Sequence, residues 1–337
     1  MKALEIQGEF GFEHLTFVER PSPPCGPGQV RLAMRAASLN YRDLLMVRGQ
    51  YNPRQPLPLI PCSDGVGVVT EVGDGVTDLE VGARVATLFA QGWGGGEPSR
   101  EKFGTTLGGP LDGTLAEELV LDRRGVIEVP EHLTDAEAAC LPCAAVTAWS
   151  ALVTEGQVRA GDTVLLQGTG GVSLFALQFA TVLGARVIIT SSSDDKLDRA
   201  LQLGAWKGIN YKDDPAWGRT ARKLTGGRGV DLVVEVGGTG TLEQSLKAVR
   251  VGGTIAMIGI LSGALAPLLI TPILMQQIRV QGVFVGSGEG FAAMNRAIDA
   301  HQLTPLVHRV YPFDEAPQAM RDMTRGEHFG KIAITIP

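Results

Sequence analysis

The sequence predicts an α/β fold in which a parallel sheet, covered by helices on both faces, is joined to a β-rich barrel. From Thr163 onward, apolar strand-like runs alternate with helical patterns, which is typical of a doubly wound parallel sheet. Before Thr163, short strand-like runs are separated by Pro and Gly clusters. With 337 residues and 44% hydrophobic content, the chain can bury two sizeable cores.

The first part of the chain is predicted to form the barrel. Its short apolar runs are spaced as in a compact β-structure and comprise Met1 to Ile6, His14 to Glu19, Gln29 to Ala36, Val66 to Val72 and Arg84 to Leu88. A helical pattern follows from Ala136 to Leu152. Near the end of the chain we predict a helix over Phe291 to Ala300 and a final strand over Ile332 to Ile336.

The segment from Thr163 to Lys196 predicts one strand, a glycine-rich turn, a helix and a second strand. The turn contains Gly168, Gly170 and Gly171, while Ser173 replaces the third glycine of the usual dinucleotide pattern. Glycine allows close approach of a pyrophosphate, and the helix start offers free N–H groups to an anion. The turn alone is equally consistent with mere tight strand-to-helix geometry.

The end of the second predicted strand bears on which dinucleotide is bound. An NAD site places an acid there for the ribose hydroxyl, whereas this chain has Thr190 to Ser193, with no carboxylate, followed by Lys196. Hydroxyl donors and one positive charge suit a 2′-phosphate, so NADPH is favoured over NADH. Asp194 and Asp195 leave this open, since they can cap the next helix or reach the ribose.

Composition excludes two classes of partner. The net charge of −6 gives no basic surface for nucleic acid. Val251 to Ile278 contains no charged residue, but Pro267 and Pro272 would leave backbone groups unsatisfied in lipid. We predict a buried strand over Thr254 to Ile258 and then an apolar loop near the cofactor or at a subunit contact, and no membrane association.

The start of the chain and its cysteine content predict a cytoplasmic location. An acid stands at Glu5, where the apolar core of a signal peptide would lie, and the sequence holds only four cysteines.

Several motifs together resemble those of the medium-chain dehydrogenase/reductase superfamily, and within it the zinc-free quinone oxidoreductase-like branch. They span nearly the whole chain and comprise Ala37 to Asp43, Gly65 to Val69, Leu141 to Trp149, the glycine turn at Gly168 to Val172 and the ending Gly330 to Ile334. The resemblance implies a chaperonin-10-like catalytic domain from residues 1–124 and 288–337. A Rossmann nucleotide-binding domain of residues 125–287 would be inserted, with the active site in the cleft between them.

The resemblance also bears on metal binding. Zinc-dependent relatives place a cysteine at the position of Asn40, a His-Glu pair at Ser63 and Asp64, and a third cysteine near Cys143. Catalytic zinc needs about three protein ligands, so we expect no metal here. Cys140 and Cys143 form a CxxC pattern, which is typical of two small residues on a buried helix and, alternatively, of a redox pair or metal clip.

By the same resemblance, Asn40 and Tyr51 lie beside the nicotinamide, where an amide donor and a phenol can polarise a substrate oxygen. Alternatively, Asn40 caps a helix and Tyr51 packs in a Pro-rich loop. Ser63 and Asp64 occupy the vacated metal site, where they line the substrate pocket or form a turn.

The residues implied to contact the cofactor lie at the ends of predicted strands and on the following turns. They are Thr147, Gly168, Gly170, Gly171, Val172, Ser191, Ser192, Lys196, Tyr211, Gly237, Gly259 and Lys331. Tyr211 has the alternative of a core aromatic residue, and Lys331 that of a solvated lysine.

These observations predict a zinc-independent oxidoreductase that transfers hydride from NADPH to a quinone or to the conjugated double bond of an α,β-unsaturated carbonyl. The alternatives are a zinc-type alcohol dehydrogenase and a non-catalytic NADPH-binding protein. The expected partners are a small-molecule substrate and a second copy of the chain, paired through the edge strand at Val280 to Val285.

Overall fold

The computed structural model describes residues 1–265, 267–268 and 270–337. The chain divides into two compact units. The first comprises Met1–Val146 with Ser287–Pro337, and the second comprises Thr147–Gly286.

The strands are divided between the two units. In chain order they are β1 (Lys2–Ile6), β2 (Leu15–Glu19), β3 (Gln29–Ser38), β4 (Asp64–Val72), β5 (Arg84–Thr87), β6 (Glu118–Asp122), β7 (Val126–Glu128), β8 (Thr163–Gln167), β9 (Arg186–Ser191), β10 (Lys207–Asn210), β11 (Val230–Glu235), β12 (Val249–Met257), β13 (Arg279–Gly282), β14 (Val307–Pro312) and β15 (Lys331–Thr335). The strands β1 to β7, β14 and β15 belong to the first unit, and β8 to β13 belong to the second.

The helices are mostly short. They are α1 (Tyr41–Val47), α2 (Arg100–Phe103), α3 (Asp135–Ala138), α4 (Val146–Trp149), α5 (Gly171–Val182), α6 (Asp194–Gln202), α7 (Trp217–Leu224), α8 (Leu242–Ala248), α9 (Thr271–Met275), α10 (Gly288–His301) and α11 (Ala316–Met323). Single 3₁₀ turns occur at Phe12–His14, Arg123–Gly125 and Phe313–Glu315, and π turns at Leu141–Ala145 and Ser150–Thr154.

The first unit is built on a sheet with the strand order β14-β15-β3-β4-β5-β7, and β6 also pairs with β3. Strand β3 alternates inward and outward side chains, so Val30, Leu32 and Met34 are fully buried in the barrel core. The C-terminal strand β15 pairs antiparallel with β3 at Ala333 and Ser38. Residues from both ends of the chain therefore build this sheet, and β15 meets β3 where β3 ends.

The boundary between the units lies after Val146, later in the chain than the predicted residue 124. Strand β7 pairs with β5 at Val85 and Glu128. Arg84 also holds the following segment, since its Nη2 donates to the carbonyl of Pro130 at 2.8 Å. Residues 126–128 thus join the first unit by strand pairing and Pro130 by a side-chain hydrogen bond, which the sequence pattern did not reveal.

The second unit is a six-stranded parallel sheet with the order β10-β9-β8-β11-β12-β13. The order reverses at β8, so the carboxyl ends of β8, β9 and β11 meet at the switch point where ligands bind in open α/β sheets. Strands β8 and β11 are buried along their whole length, as expected of central parallel strands. The predicted doubly wound parallel sheet is confirmed.

The charge-free stretch Val251 to Ile278 is not one continuous element. It contains most of β12 and the five-residue helix α9, and it includes Ala266 and Leu269, which lie outside the described residues. Among the described residues, no helix combines the length and apolarity needed to cross a bilayer.

Candidate active site and nucleotide-binding turn

Asn40 stands between the end of β3 and the start of α1. Its backbone N–H donates to Asp43 Oδ2 at 2.8 Å, which fixes the first turn of the helix as the N3 residue of a capping box does. Its side chain faces another way, because Oδ1 accepts from Lys331 Nζ at 2.6 Å. The side-chain amide nitrogen Nδ2 is buried without a hydrogen-bond partner among the described residues. Asn40 thus combines the capping position with a buried amide donor that lies near the Asp64 carboxyl.

Lys331 is placed by the start of β15 and is only 4% exposed. Its ammonium donates to the carbonyl oxygen of Leu39 at 2.5 Å and to Asn40 Oδ1 at 2.6 Å. The alternative of a solvated lysine is therefore wrong. The structure directs this side chain into the barrel, so the contacts it shows are with Leu39 and Asn40.

Ser63 and Asp64 lie at the start of β4 and are fully buried. Asp64 Oδ1 accepts from Ser63 Oγ at 2.7 Å, and Asp64 Oδ2 accepts from the backbone N–H of Cys143 at 3.1 Å. Burial raises the pKa of the Asp64 carboxyl, opposed by the Lys331 cation and the Asn40 amide. Both side chains therefore lie in the buried cluster around Asn40 and have no exposed surface in this structure.

Asp43 is a second buried acid in this cluster. Burial raises its pKa to about 6, although the Arg42 cation opposes the shift. Its Oδ1 has no hydrogen-bond partner among the described residues and lies 3.7 Å from Arg42 Nη1.

The donors of this cluster do not fit a zinc ion. Both oxygens of Asp64 already accept hydrogen bonds, and the Lys331 cation adjoins Asn40. Burial raises the pKa of the Cys143 thiol, which disfavours the thiolate that zinc needs. Within the described residues, no group of three or more His, Cys, Asp or Glu side chains is arranged to hold a metal ion.

Tyr51 lies on the loop after α1 and is 41% exposed, so it is not a packed core residue. Its ring centre is 4.7 Å from the guanidinium of Arg42, which donates to the carbonyl oxygens of Leu107 at 2.6 Å and Gly109 at 3.0 Å. Sequence reasoning missed Arg42. Its only signal was a charged residue within the motif that carries Asn40.

In the second unit, the glycine turn follows β8 as predicted. Gly168 has a φ of +71°, and at both Gly168 and Gly170 a Cβ would meet no atom within 4 Å. Helix α5 begins at Gly171 with Gly170 as its N-cap. The turn therefore leaves open space before the N–H groups of a twelve-residue helix, which suits a pyrophosphate.

Ser173, which departs from the glycine pattern, has a specific contact. Its Oγ donates to the carbonyl oxygen of Gln167 at 2.6 Å, and the side chain is 2% exposed. The third glycine of the pattern serves close packing of helix and strand. Here a hydrogen bond from α5 to the end of β8 makes that contact instead.

The residues predicted around the 2′-phosphate gather at the ends of β9 and β10. The N–H of Tyr211 donates to the carbonyl of Ser191 at 3.0 Å, and Tyr211 is 41% exposed, so it is not a core aromatic residue. Ser193 caps α6 by accepting from the N–H of Lys196. Asp194 accepts from Asn210 Nδ2 at 2.8 Å, so its carboxylate is engaged at the helix start. Ser192 follows Ser191 at this strand end and is half-buried.

The remaining predicted cofactor residues divide by exposure. Thr147 is buried, whereas Val172 and Gly259 are half-buried. Gly237 is buried and donates to Glu235 Oε1 at 2.9 Å. Sequence reasoning missed Glu235 and Gln167, whose signal was a polar residue ending each of two apolar strands.

Comparison with known proteins agrees with this architecture. Residues 26–131 match the alcohol dehydrogenase GroES-like domain family, and residues 171–300 match the zinc-binding dehydrogenase family. The chain is 42% identical over 333 residues to a zinc-type alcohol dehydrogenase-like protein of Schizosaccharomyces pombe, covering 97% of this chain and 96% of that protein. It is 27% identical to quinone oxidoreductase-like protein 2 of Bos taurus, covering 95% and 88%.

Two solved structures differ in the cofactor that their descriptions name. An NAD-dependent alcohol dehydrogenase is 35% identical, with a TM-score of 0.92 and 100% coverage of both chains. A mycobacterial protein solved with NADPH is 29% identical, with a TM-score of 0.84 and 100% coverage of both chains. With its GroES-like unit, its Rossmann-like parallel sheet and relatives that match it along nearly the whole length, the chain belongs to the medium-chain dehydrogenase/reductase superfamily of oxidoreductases.

Proposed function

We propose that this protein is a zinc-independent, NADPH-dependent reductase that transfers hydride to a quinone or to the conjugated double bond of an α,β-unsaturated carbonyl. The observation that carries the proposal is the cluster around Asn40. It offers a buried amide donor beside a lysine cation, and it lacks a donor set that fits zinc. Hydride addition to a conjugated system needs a donor for the developing enolate oxygen rather than strong polarisation by a metal.

The open glycine turn and the start of α5 support a dinucleotide site. Gly168, Gly170, Gly171 and Val172 would hold the pyrophosphate. Ser191, Ser192, Lys196 and Tyr211 would hold the 2′-phosphate, and the engagement of Asp194 with Asn210 favours NADPH at this strand end. Thr147, Gly237 and Gly259 would approach the nicotinamide half. When bound, NADPH supplies the hydride.

The residues of the first unit would orient and polarise the substrate. Lys331 holds Asn40 Oδ1, so that the Asn40 amide N–H is the group left to donate to a substrate oxygen. The Arg42 guanidinium holds the Tyr51 ring, whose exposed phenol is suited to a second hydrogen bond. Ser63 and Asp64 would support the position of Asn40 within the buried cluster and would not contact the substrate.

A zinc-type alcohol dehydrogenase with NADH is the second candidate, favoured by the names of the Schizosaccharomyces pombe relative and of the NAD-dependent solved structure. The test is the rate of NADPH and NADH oxidation against a panel of quinones and enones, with and without a chelator, and of alcohol oxidation in the reverse direction. NADPH-selective, chelator-insensitive reduction supports the proposal. One tightly held zinc per chain with alcohol oxidation refutes it, and tight NADPH binding without turnover indicates a non-catalytic protein.

We also propose that two copies of the chain pair through β13. This strand is bonded to β12 on one side, and Val280, Leu274 and Met275 near it are 40%, 76% and 73% exposed. An exposed apolar strand edge is a surface that pairing removes from water. A cytoplasmic location stays a prediction, with which the four free cysteines are consistent.

A further inference from the structure

A buried polar pair ends two central strands of the second unit. Gln167 is the last residue of β8 and is 4% exposed, and Glu235 is the last residue of β11 and is 0% exposed. The three side chains of β8 between Thr163 and Gln167 are apolar, and so are most of those of β11. Burying polar groups at such positions lowers the stability of the fold unless they are fully hydrogen-bonded.

Glu235 accepts hydrogen bonds from five donors. Oε1 accepts from the backbone N–H groups of Gly237 at 2.9 Å and Gly238 at 3.0 Å, and from Thr241 Oγ1 at 2.5 Å. Oε2 accepts from Gln167 Nε2 at 2.6 Å and from Ser245 Oγ. A carboxylate has about four lone-pair sites, so these five donors use its full capacity to accept hydrogen bonds.

Among the described residues, no Lys, Arg or His nitrogen forms an ion pair with Glu235. The carboxyl group is held by N–H and O–H groups that converge on it. This arrangement gives the chain after β11 one geometry, because the two glycine N–H groups must both point back at the carboxylate.

Gln167 extends the same network to β8. Its Nε2 donates to Glu235 Oε2 and to Ser245 Oγ at 2.8 Å, while its Oε1 accepts from the N–H groups of Val236 and Gly237, each at 3.2 Å. The strand that leads into the glycine turn is therefore bonded to the loop after β11 through one side chain.

The loop after β11 in turn sets the loop after β12. The N–H and Oγ of Ser262 both donate to the carbonyl of Gly237 at 2.7 Å. A Cβ at Gly259 would lie 2.3 Å from the carbonyl oxygen of Val236, so the two backbones pack without space between them. The network thus defines both loops, residues 236–240 and 258–263, at the carboxyl edge of the sheet.

We propose that Glu235 and Gln167 are positioning residues that hold these two loops in the conformation that receives the nicotinamide half of the dinucleotide. The inference rests on the proposed dinucleotide function. The adenine half of the ligand would meet the ends of β9 and β10, which this network does not touch. Losing the network therefore weakens binding of the whole dinucleotide and leaves recognition of its adenine half unchanged.

Glu235→Gln is the primary test, because the amide keeps the shape and turns one acceptor into a donor. That donor would face donors, so at least one of the five hydrogen bonds is lost. If the loops then adopt the receiving conformation about a tenth of the time, the dissociation constant for NADPH rises about tenfold. Fluorescence titration with NADPH measures this, and adenosine 2′,5′-bisphosphate probes the adenine half alone.

Glu243→Gln is the matched control, since it makes the same chemical change on the exposed face of α8 and leaves both dissociation constants unchanged. Thr241→Val removes one donor only and serves if Glu235→Gln does not fold; it raises the NADPH constant about threefold, in proportion to the smaller loss.

The wild-type chain is titrated with NADPH first, so that failure of the proposed cofactor and failure of the proposed positioning role can be distinguished. If it binds no NADPH, the proposed cofactor is wrong. If it binds NADPH and the folded variants bind it within twofold of wild type, the positioning role is wrong. Equal weakening of NADPH and adenosine 2′,5′-bisphosphate also overturns it, because that pattern indicates general loss of structure.

Discussion

Lys331→Met separates a buried positioning role for this lysine from direct contact with the cofactor. The substitution removes the ammonium and keeps most of the side-chain length. It leaves the carbonyl of Leu39 and Asn40 Oδ1 without their donor in a site where Lys331 is 4% exposed. Each hydrogen bond to a charged group contributes about 1.5–3 kcal/mol, and the desolvation of the ammonium that the folded state no longer bears offsets part of this. We expect a net loss of about 2–4 kcal/mol in the free energy of unfolding at pH 7.

Urea unfolding at pH 7 measures that loss, with Lys247→Met as the control. Lys247 forms an exposed i,i+4 pair with Glu243, so its removal costs about 0.5 kcal/mol or less. In the folded fraction of Lys331→Met we expect NADPH affinity to stay the same, while turnover falls at least about tenfold because the Asn40 amide is free to rotate. Unchanged stability together with weakened NADPH binding would refute this reasoning and show that Lys331 reaches the cofactor.

Three further predictions follow from the same structure. Burial raises the pKa of Asp43 from 3.8 to about 6, so the folded state holds this proton more tightly than the unfolded chain does. The free energy of unfolding therefore falls as the pH rises from about 4 to 6. We expect Asp43→Asn to remove that pH dependence from urea midpoints measured over this range. At Asp231 the effect of burial is outweighed by hydrogen bonds from Arg228, the Thr163 N–H and Arg250, which lower its pKa from 3.8 to about 2. Its contribution to the free energy of unfolding is therefore present above about pH 4 and is lost towards pH 2. Because the arginines are partly exposed, we expect Asp231→Asn to cost only about 1–2 kcal/mol at pH 7 by urea unfolding. Leu274→Asp should shift the chain from dimer to monomer in sedimentation velocity, whereas Leu203→Asp, an equally drastic change at an exposed leucine on α6's C-terminal end, should not; a monomeric wild type contradicts the pairing proposal.

The sequence predicted those helices and strands in which apolar residues recur at the spacing typical of the element. Strand β8, the glycine turn and α5 lie close to their predicted positions, because an apolar run and a helical pattern meet at glycines. Strand β10 was missed, since Lys207–Asn210 contains one buried residue and is a strand only through its pairing with β9. The predicted helix over Ala136 to Leu152 is broken into short α and π turns. The first π turn begins at Leu141 and contains Pro142, which lacks a backbone N–H.

The candidate site was predictable only where local chemistry identifies a residue. Asn40 and Tyr51 stand in a recognisable motif, whereas the partner of Asn40 lies 291 residues away at Lys331. The same holds for Gln167 and Glu235, which are 68 residues apart and meet because their parallel strands are neighbours. A polar residue at the end of an apolar strand is a weak signal by itself, and only the strand order shows that two of them coincide.

The charges buried around Asn40 relate the poor fit of this cluster to zinc to the presence of the Lys331 cation. The cluster buries two acids, Asp43 and Asp64, and two cations, Arg42 and Lys331, all of them at least nine-tenths buried. With both acids ionised their charges cancel, whereas a divalent ion would add two uncompensated positive charges in a region from which water is excluded. Cys143 could restore one negative charge only as a thiolate, which its burial disfavours. Lys331 and Arg42 therefore already balance the two buried acids, so a zinc ion near Asn40 would need a further anionic ligand, which is the electrostatic argument for the zinc-independent reaction proposed above.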